Sequence, residues 1–162
     1  MPVRDALRLR GTYILRKYAD DAAFARGEAY EEKSIENAFT TVGLQAMGRL
    51  LTGQGAVTHF GNANAHLGVG DSTTAFSAAH TDLQAASNKL RKAVSGGYPT
   101  DPTNGVWTWQ ASFGSAEANF AWAEMAIFNA SSSGIMLSRV VSAQGTKTAG
   151  QTWTLTYVMT VS

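Results

Sequence analysis

Through residues 106–161, apolar and polar side chains alternate with a period of two in successive short runs, and few folds accommodate that pattern. In Val106–Phe113, Trp107, Trp109, Ala111 and Phe113 share one face, opposite Val106, Thr108, Gln110 and Ser112. Residues 119–129 place Phe120, Trp122, Glu124, Ala126 and Phe128 on one side, with Ala121, Ala123, Met125 and Ile127 on the other. Both faces of that strand are therefore expected to be covered. Residues 131–134 are a turn, residues 135–141 a third run, and residues 144–151 a polar loop containing Gly145 and Gly150. Thr152–Val161 then sets Trp153, Leu155, Tyr157, Met159 and Val161 against a row mainly of threonines. Alternating strands joined by short turns are what an antiparallel sheet needs. The expected fold is mainly β with one or two short helices (α+β), an antiparallel β-sandwich or barrel-like domain with an extended N-terminal arm.

Composition narrows the function classes. The chain has 162 residues, enough for one domain and an appendage. A formal net charge of +1 gives no electrostatic case for nucleic-acid or membrane binding. Charged residues make up 15%, against about 25% in typical domains, so Ser, Thr, Asn, Gln and Gly must form much of the surface. Such a surface suits a protein held in a fixed assembly. The absence of cysteine excludes disulfides, a thiolate nucleophile and Cys-ligated metal. No apolar run approaches the roughly 20 residues of a membrane span. The first ten residues carry too much charge for a secretory signal, so synthesis in the cytoplasm is expected.

Residues 1–33 differ from the remainder and hold about half of all the charges, among them Arg4, Arg8, Arg10, Arg16, Lys17 and Arg26. Leu7, Leu9, Tyr13, Ile14, Leu15, Tyr18, Phe24 and Tyr30 lie between these charges and do not close a core alone. They are read as an arm that packs on a neighbouring subunit, with the β-rich domain at residues 34–162. On this reading the domain stays folded when residues 1–33 are deleted. Within it, helical spacing of Val42, Ala46, Met47, Leu50 and Leu51 predicts a helix near residues 41–52, stopped by Gly53. Gly43 and Gly48 weaken such a helix unless a neighbour approaches closely. Residues 65–70 read as a short buried strand ending in a turn at Asp71, Ser72 and Thr73. Thr81 and Gln84 have capping-box spacing, which predicts a second helix near residues 81–94 with Leu83, Ala86, Leu90 and Val94 on one face. Residues 95–105 form a Gly- and Pro-rich loop.

The candidate chemistry is sparse. Gly70, Asp71 and Ser72 resemble the nucleophile motif of Gly-Asp-Ser lipases, but no histidine with an aspartate three residues before it follows late in the chain. His59, His66 and His80 do not make a metal set: the first two are seven apart with no Asp, Glu or Cys at ligand spacing, so no metal is expected. Gly68, Val69 and Gly70 lack the third glycine of a dinucleotide loop. Glu124 needs a partner if buried, and Arg139 and Lys147 are the obvious choices. The four tryptophans read as core before sugar platform, because they follow the strand period. No catalytic, cofactor-binding or metal-binding residue is assigned.

The order of short motifs resembles a known pattern. Asn37-Ala38-Phe39, Gly43-Leu44 and Leu50 to Gly53 precede His66-Leu67-Gly68-Val69-Gly70-Asp71-Ser72-Thr73. Thr81-Asp82-Leu83 and the basic Lys89-Leu90-Arg91-Lys92 follow. Then come Phe113, Ala118-Asn119-Phe120, Glu124 to Asn129, Gly134-Ile135-Met136-Leu137-Ser138-Arg139 and Thr146-Lys147-Thr148 before the last strand. Together they are similar to small structural proteins of tailed bacteriophages, and to the domain with which many tail-fibre proteins begin. Where that family has glycine-leucine after the glutamate, this chain has Ala126-Ile127. With the sequence read as ending at Ser162, no fibre shaft is expected. The resemblance therefore implies a non-enzymatic virion protein, of the capsid decoration (cement) or minor capsid type, clamping neighbouring shell subunits. A tail or tail-fibre attachment component, or a host-receptor or carbohydrate-binding module, is the alternative. It implies a virion location, partners among the major capsid or tail proteins, a homo-oligomer with a trimer favoured, and no nucleic acid, membrane or cofactor. Two other classes compete: a sugar binder using its tryptophans, and a serine hydrolase acting through Ser72.

Overall fold

A computed structural model describes residues 7–100 and 104–162. Two antiparallel sheets pack face to face as a sandwich. The first contains β2 (Glu31–Glu36), β1 (Leu9–Tyr18), β9 (Thr152–Val161) and β6 (Val106–Phe113), in that spatial order. The second contains β3 (Ala38–Phe39), β8 (Met136–Thr146), β7 (Ala121–Phe128), β4 (His66–Gly70) and β5 (Lys89–Ala93). Among the described residues two helices complete the fold, α1 (Asp21–Arg26) and α2 (Thr41–Thr52).

The four C-terminal strands form as the alternation predicts, but they do not make one sheet. β6 and β9 pair in the first layer, while β7 and β8 pair in the second. The chain therefore crosses the sandwich twice, and the inward faces of both pairs meet. Trp109, Ala111, Phe113, Trp153, Leu155 and Tyr157 from one layer face Leu67, Val69, Met125, Ile127 and Leu137 from the other. Trp122 stacks edge-on between Phe113 and Trp153, with ring centroids 4.9 Å from each. Such pairs add about 0.5–1.5 kcal/mol each to the burial of the rings. β8 extends to Thr146, so Gln144, Gly145 and Thr146 are strand where a loop was expected.

The pairing of β7 with β8 shifts register between Trp122 and Glu124. There two steps along β7, Trp122 to Glu124, match four along β8, Gly145 to Val141, so the regular alternation is interrupted at this point. Trp122 consequently lies in the main core with Met125 and Ile127. Ala126 and Phe128 point the other way, into a small second core with Leu83 and Met136. The common face expected for Trp122, Glu124 and Phe128 is divided by this bulge.

The expected separate arm requires the largest correction. β1 is an inner strand, paired along its length to β9 and on its other side to β2. Tyr13 and Leu15 are fully buried in the main core, because the strand alternates them with outward-facing Ile14 and Arg16. The boundary expected at residue 33 therefore cuts through one sheet, and deleting residues 1–33 removes its second strand. Residues 1–6 of that arm lie outside the described residues.

The helix at residues 41–52 forms as expected. Thr40 caps it, accepting a hydrogen bond from the Gly43 amide at 3.0 Å and donating its hydroxyl to the Met136 carbonyl. Gly43 lies against the backbone of Leu137, where a Cβ would overlap it. Gly48 meets nothing within 4 Å, so only the first of the two glycines marks a close approach. The second expected helix does not form. Residues 81–88 run as an irregular strap and residues 89–93 are strand β5.

Candidate functional site

The strap, residues 71–88, covers the outer face of β7 and β4 through a buried ionic cluster. Glu124 and Arg139 are both excluded from solvent and meet at 2.7 Å through Arg139 Nε and Glu124 Oε2. The carboxylate also accepts the backbone amides of Gln84 at 3.0 Å and Ala85 at 2.8 Å. Arg139 Nη2 donates to the Thr74 carbonyl at 2.9 Å, and Nη1 lies 3.2 Å from His80 Nδ1. Gly70 is required beneath it, since a Cβ there would collide with the Glu124 carboxylate. Both carboxylate oxygens and all three guanidinium nitrogens have protein partners, so the arrangement fastens the strap. Of the two partners expected for Glu124, Arg139 takes the role. Lys147 instead donates to the Gly114 carbonyl and to Asn119 Oδ1, both at 2.8 Å. Burial holds the Lys147 ammonium below the ordinary lysine range, against the opposing pull of Glu117 and Asp21.

The eight apolar residues expected to bind a neighbour are divided by the structure. Tyr13, Leu15 and Tyr18 are buried within their own domain, and Leu9 packs against the same core. Ile14 lies half-buried on the outer face of β1. Phe24 rests edge-on against Tyr18 at 5.2 Å. Tyr30 is exposed, its hydroxyl accepting from Gln151 Nε2 at 3.2 Å. Leu7 is 81% exposed. Burial in an intact sheet removes Tyr13, Leu15 and Tyr18 from any outside partner, and leaves Leu9 partly covered.

The competing chemical sites are also placed. The Ser72 hydroxyl bonds within its own turn, donating to Thr74 Oγ1 and accepting from the Thr74 amide. Each histidine is held separately. His59 Nδ1 accepts from the Gly61 amide, His66 Nδ1 donates to the Asn64 carbonyl, and His80 Nδ1 accepts from the Ser77 amide. Among the described residues, no three His, Cys, Asp or Glu side chains converge as a metal site. Trp109, Trp122 and Trp153 are buried in the core, and Trp107 is half-buried. Among the described residues no helix is long and apolar enough to cross a membrane.

An apolar surface remains that the sequence reading did not separate from the core. α2 buries Gly43 and Ala46 on β8 but turns Leu44, Leu50 and Leu51 outward, Leu51 at 88% exposure. Beside it, a groove of about 270 Å³ is lined by Met47, Leu50, Phe60, Pro99, Trp107 and Met159. Residues 37–70 contain no acid, and Arg49 is the sole Lys or Arg among them. The signal was present in the spacing: Leu44 and Leu51, seven apart, form a second stripe on the side of the helix away from Ala46. Burying a leucine side chain gains about 1.5–3 kcal/mol, so a contiguous apolar face of this kind marks an interaction surface.

The chain matches no family model, no curated protein and no solved structure.

Proposed function

We propose that this chain is a non-enzymatic structural component of a bacteriophage virion, of the capsid decoration type. It attaches to repeated shell subunits through α2 and the adjoining groove. The observation that carries this reading is the exposed leucine stripe beside an apolar groove on an otherwise rigid sandwich. The occupant is an apolar segment of a shell subunit, because the stripe and the groove beside it are both apolar. The motif order that resembles small tailed-phage structural proteins supplies the virion context. The closed core and Thr-rich faces fit a part that is held rather than one that turns over substrate. Modest affinity suffices, since many copies on one lattice add by avidity.

The deciding experiment compares wild type with a Leu44→Ser/Leu51→Ser variant in purified particles. Both leucines are exposed, so the variant retains the fold. Wild type is expected in the particles at stoichiometric amounts, in clusters on the shell, with the variant strongly depleted. Equal incorporation of the variant overturns the docking face. A ring of copies at the tail overturns decoration in favour of a tail component.

A further inference from the structure

On the opposite edge of the second sheet, a cleft of about 320 Å³ lies between β5 and the turn at residues 130–134. Asp82, Lys89, Leu90 and Arg91 line one side, and Ser131, Ser132 and Ser133 the other. Its size falls at the small end of ligand sites.

The walls are fixed. Arg91 lies over the Phe128 ring, 3.5 Å from its centroid, and its Nη1 donates to the carbonyls of Ala130 at 3.1 Å and Ser133 at 2.7 Å. Asn129 closes the base of the same turn, accepting the Ile135 amide at 2.6 Å and donating to the Thr58 carbonyl at 2.7 Å. Ser133 adopts φ +51°, which a serine holds only where its surroundings impose it. Two long-range grips thus hold a three-serine turn whose side-chain hydroxyls are exposed and have no partner among the described residues.

The charges do not cancel. Arg91 Nη2 is committed to Asp82 Oδ1 at 2.7 Å, which also accepts the Leu83 amide. Burial pushes the Asp82 carboxyl up. The Arg91 and Leu83 hydrogen bonds, with the charges of Arg91 and Lys89, outweigh that and hold it below the ordinary aspartate value. Asp82 is therefore ionised and balanced by Arg91. Lys89 Nζ, 3.8 Å from Asp82 Oδ2, is left as the surplus cation at the mouth.

We infer that this cleft binds a carboxylated saccharide ring, its carboxylate at Lys89 and its hydroxyls on the serine turn. Leu90 offers apolar surface to the C–H face of the ring, and Asp82 accepts from a further hydroxyl. Rigid walls lower the ordering cost that otherwise defeats weak, polar ligands. The site shares no residue with the α2 face, so it stands or falls separately from the virion reading.

The test is a titration of the full chain followed by amide NMR shifts, using galacturonate, its neutral counterpart galactose, and acetate. Galacturonate is expected to shift the amides of Lys89, Leu90 and Ser131 to Ser133 and to saturate at about 1–10 mM. Galactose is expected to bind the same amides several-fold more weakly. Lys89→Ala is expected to weaken galacturonate about tenfold while leaving galactose unchanged, and Ser132→Ala to weaken both. Both positions are exposed, and an unchanged spectrum elsewhere reports an intact fold. The inference is overturned if galacturonate gives no saturable shift at these amides, if acetate matches it, or if Lys89→Ala binds galacturonate as wild type does.

Discussion

Arg139 donates to Glu124 at 2.7 Å with neither side chain reaching solvent, and the carboxylate simultaneously holds the amides of Gln84 and Ala85. One ion pair thereby fastens the strap to the second sheet. A buried pair of this kind is a weak source of net stability but a costly one to halve. Arg139→Leu leaves an unpaired carboxylate and is expected to destabilise the fold by about 3–5 kcal/mol. Urea denaturation measures it. The double variant Glu124→Met/Arg139→Leu is expected to recover part of that loss in global stability, while amide exchange at Gln84 and Ala85 stays fast. If Arg139→Leu alone unfolds at the wild-type midpoint, the ion pair does not hold the strap.

Removal of residues 1–33 tests the position of β1. The segment contributes Tyr13 and Leu15 to the main core and pairs with ten residues of β9. Without it, β9 loses a neighbour along its whole length and Trp153 loses the Lys17 ammonium 4.6 Å above its ring. The truncated chain is expected to lose its cooperative unfolding transition, seen by near-ultraviolet circular dichroism. A folded, monomeric truncation would restore the reading of this segment as a detachable arm.

The same segment shows what could be read from the sequence and what could not. Strands β6 and β9 were legible because their two faces carry different residue types, aromatic and aliphatic inward against Thr, Ser and Gln, even though Thr152, Thr154 and Thr156 of β9 are themselves buried. In β1 the pattern is masked: inward positions include Gly11 and Lys17, and Lys17 is buried only because Glu31 and the Gln144 carbonyl receive its ammonium. The strap was misread for a related reason. Thr81 and Gln84 have capping spacing, yet the Gln84 amide goes to Glu124, forty residues away, and its side chain to the Asp82 carbonyl. Leu83 and Ala85, two apart, are the buried positions, as in extended chain. Local spacing cannot reveal a distant carboxylate, nor the bulge that turns Trp122 inward. The α2 leucines were visible as apolar, but only the contacts of Gly43 and Ala46 reveal which stripe is left outside.

Alkaline pH provides a third test through Tyr13 and Tyr157, whose rings lie 4.9 Å apart in the core. Burial raises the Tyr157 phenol to about 12, against the lowering effect of its Ser138 and Asn37 hydrogen bonds. Burial, and then Tyr157 itself, push Tyr13 well above the ordinary tyrosine value of 10.0, although a hydrogen bond with Ser138 opposes this. The folded state therefore keeps protons that the unfolded chain releases near pH 10. That contribution is complete below pH 10 and falls as pH rises, with the Tyr157 part gone by about pH 12. Unfolding free energies measured between these limits are expected to decline, and less steeply in Tyr157→Phe. An identical slope in the variant would remove Tyr157 as a cause.

The two glycines of α2 are expected to respond to alanine with opposite signs. A methyl group on Gly43 must enter the backbone of Leu137, where β8 and the helix are in direct contact and neither gives way without moving the Thr40 cap. Overpacking of this kind costs about 1–3 kcal/mol. Gly48 faces open space, so Gly48→Ala removes the entropy penalty of a mid-helix glycine and gains about 0.5–1 kcal/mol. Thermal melts of both variants measure the difference, and the stabilised Gly48→Ala protein also reports on docking. Its new methyl group stands between Leu44 and Leu51 on the exposed stripe, so particles that accept it at wild-type occupancy have room above the helix. On the proposed docking, reduced occupancy with raised stability would mean that the partner approaches the backbone at Gly48.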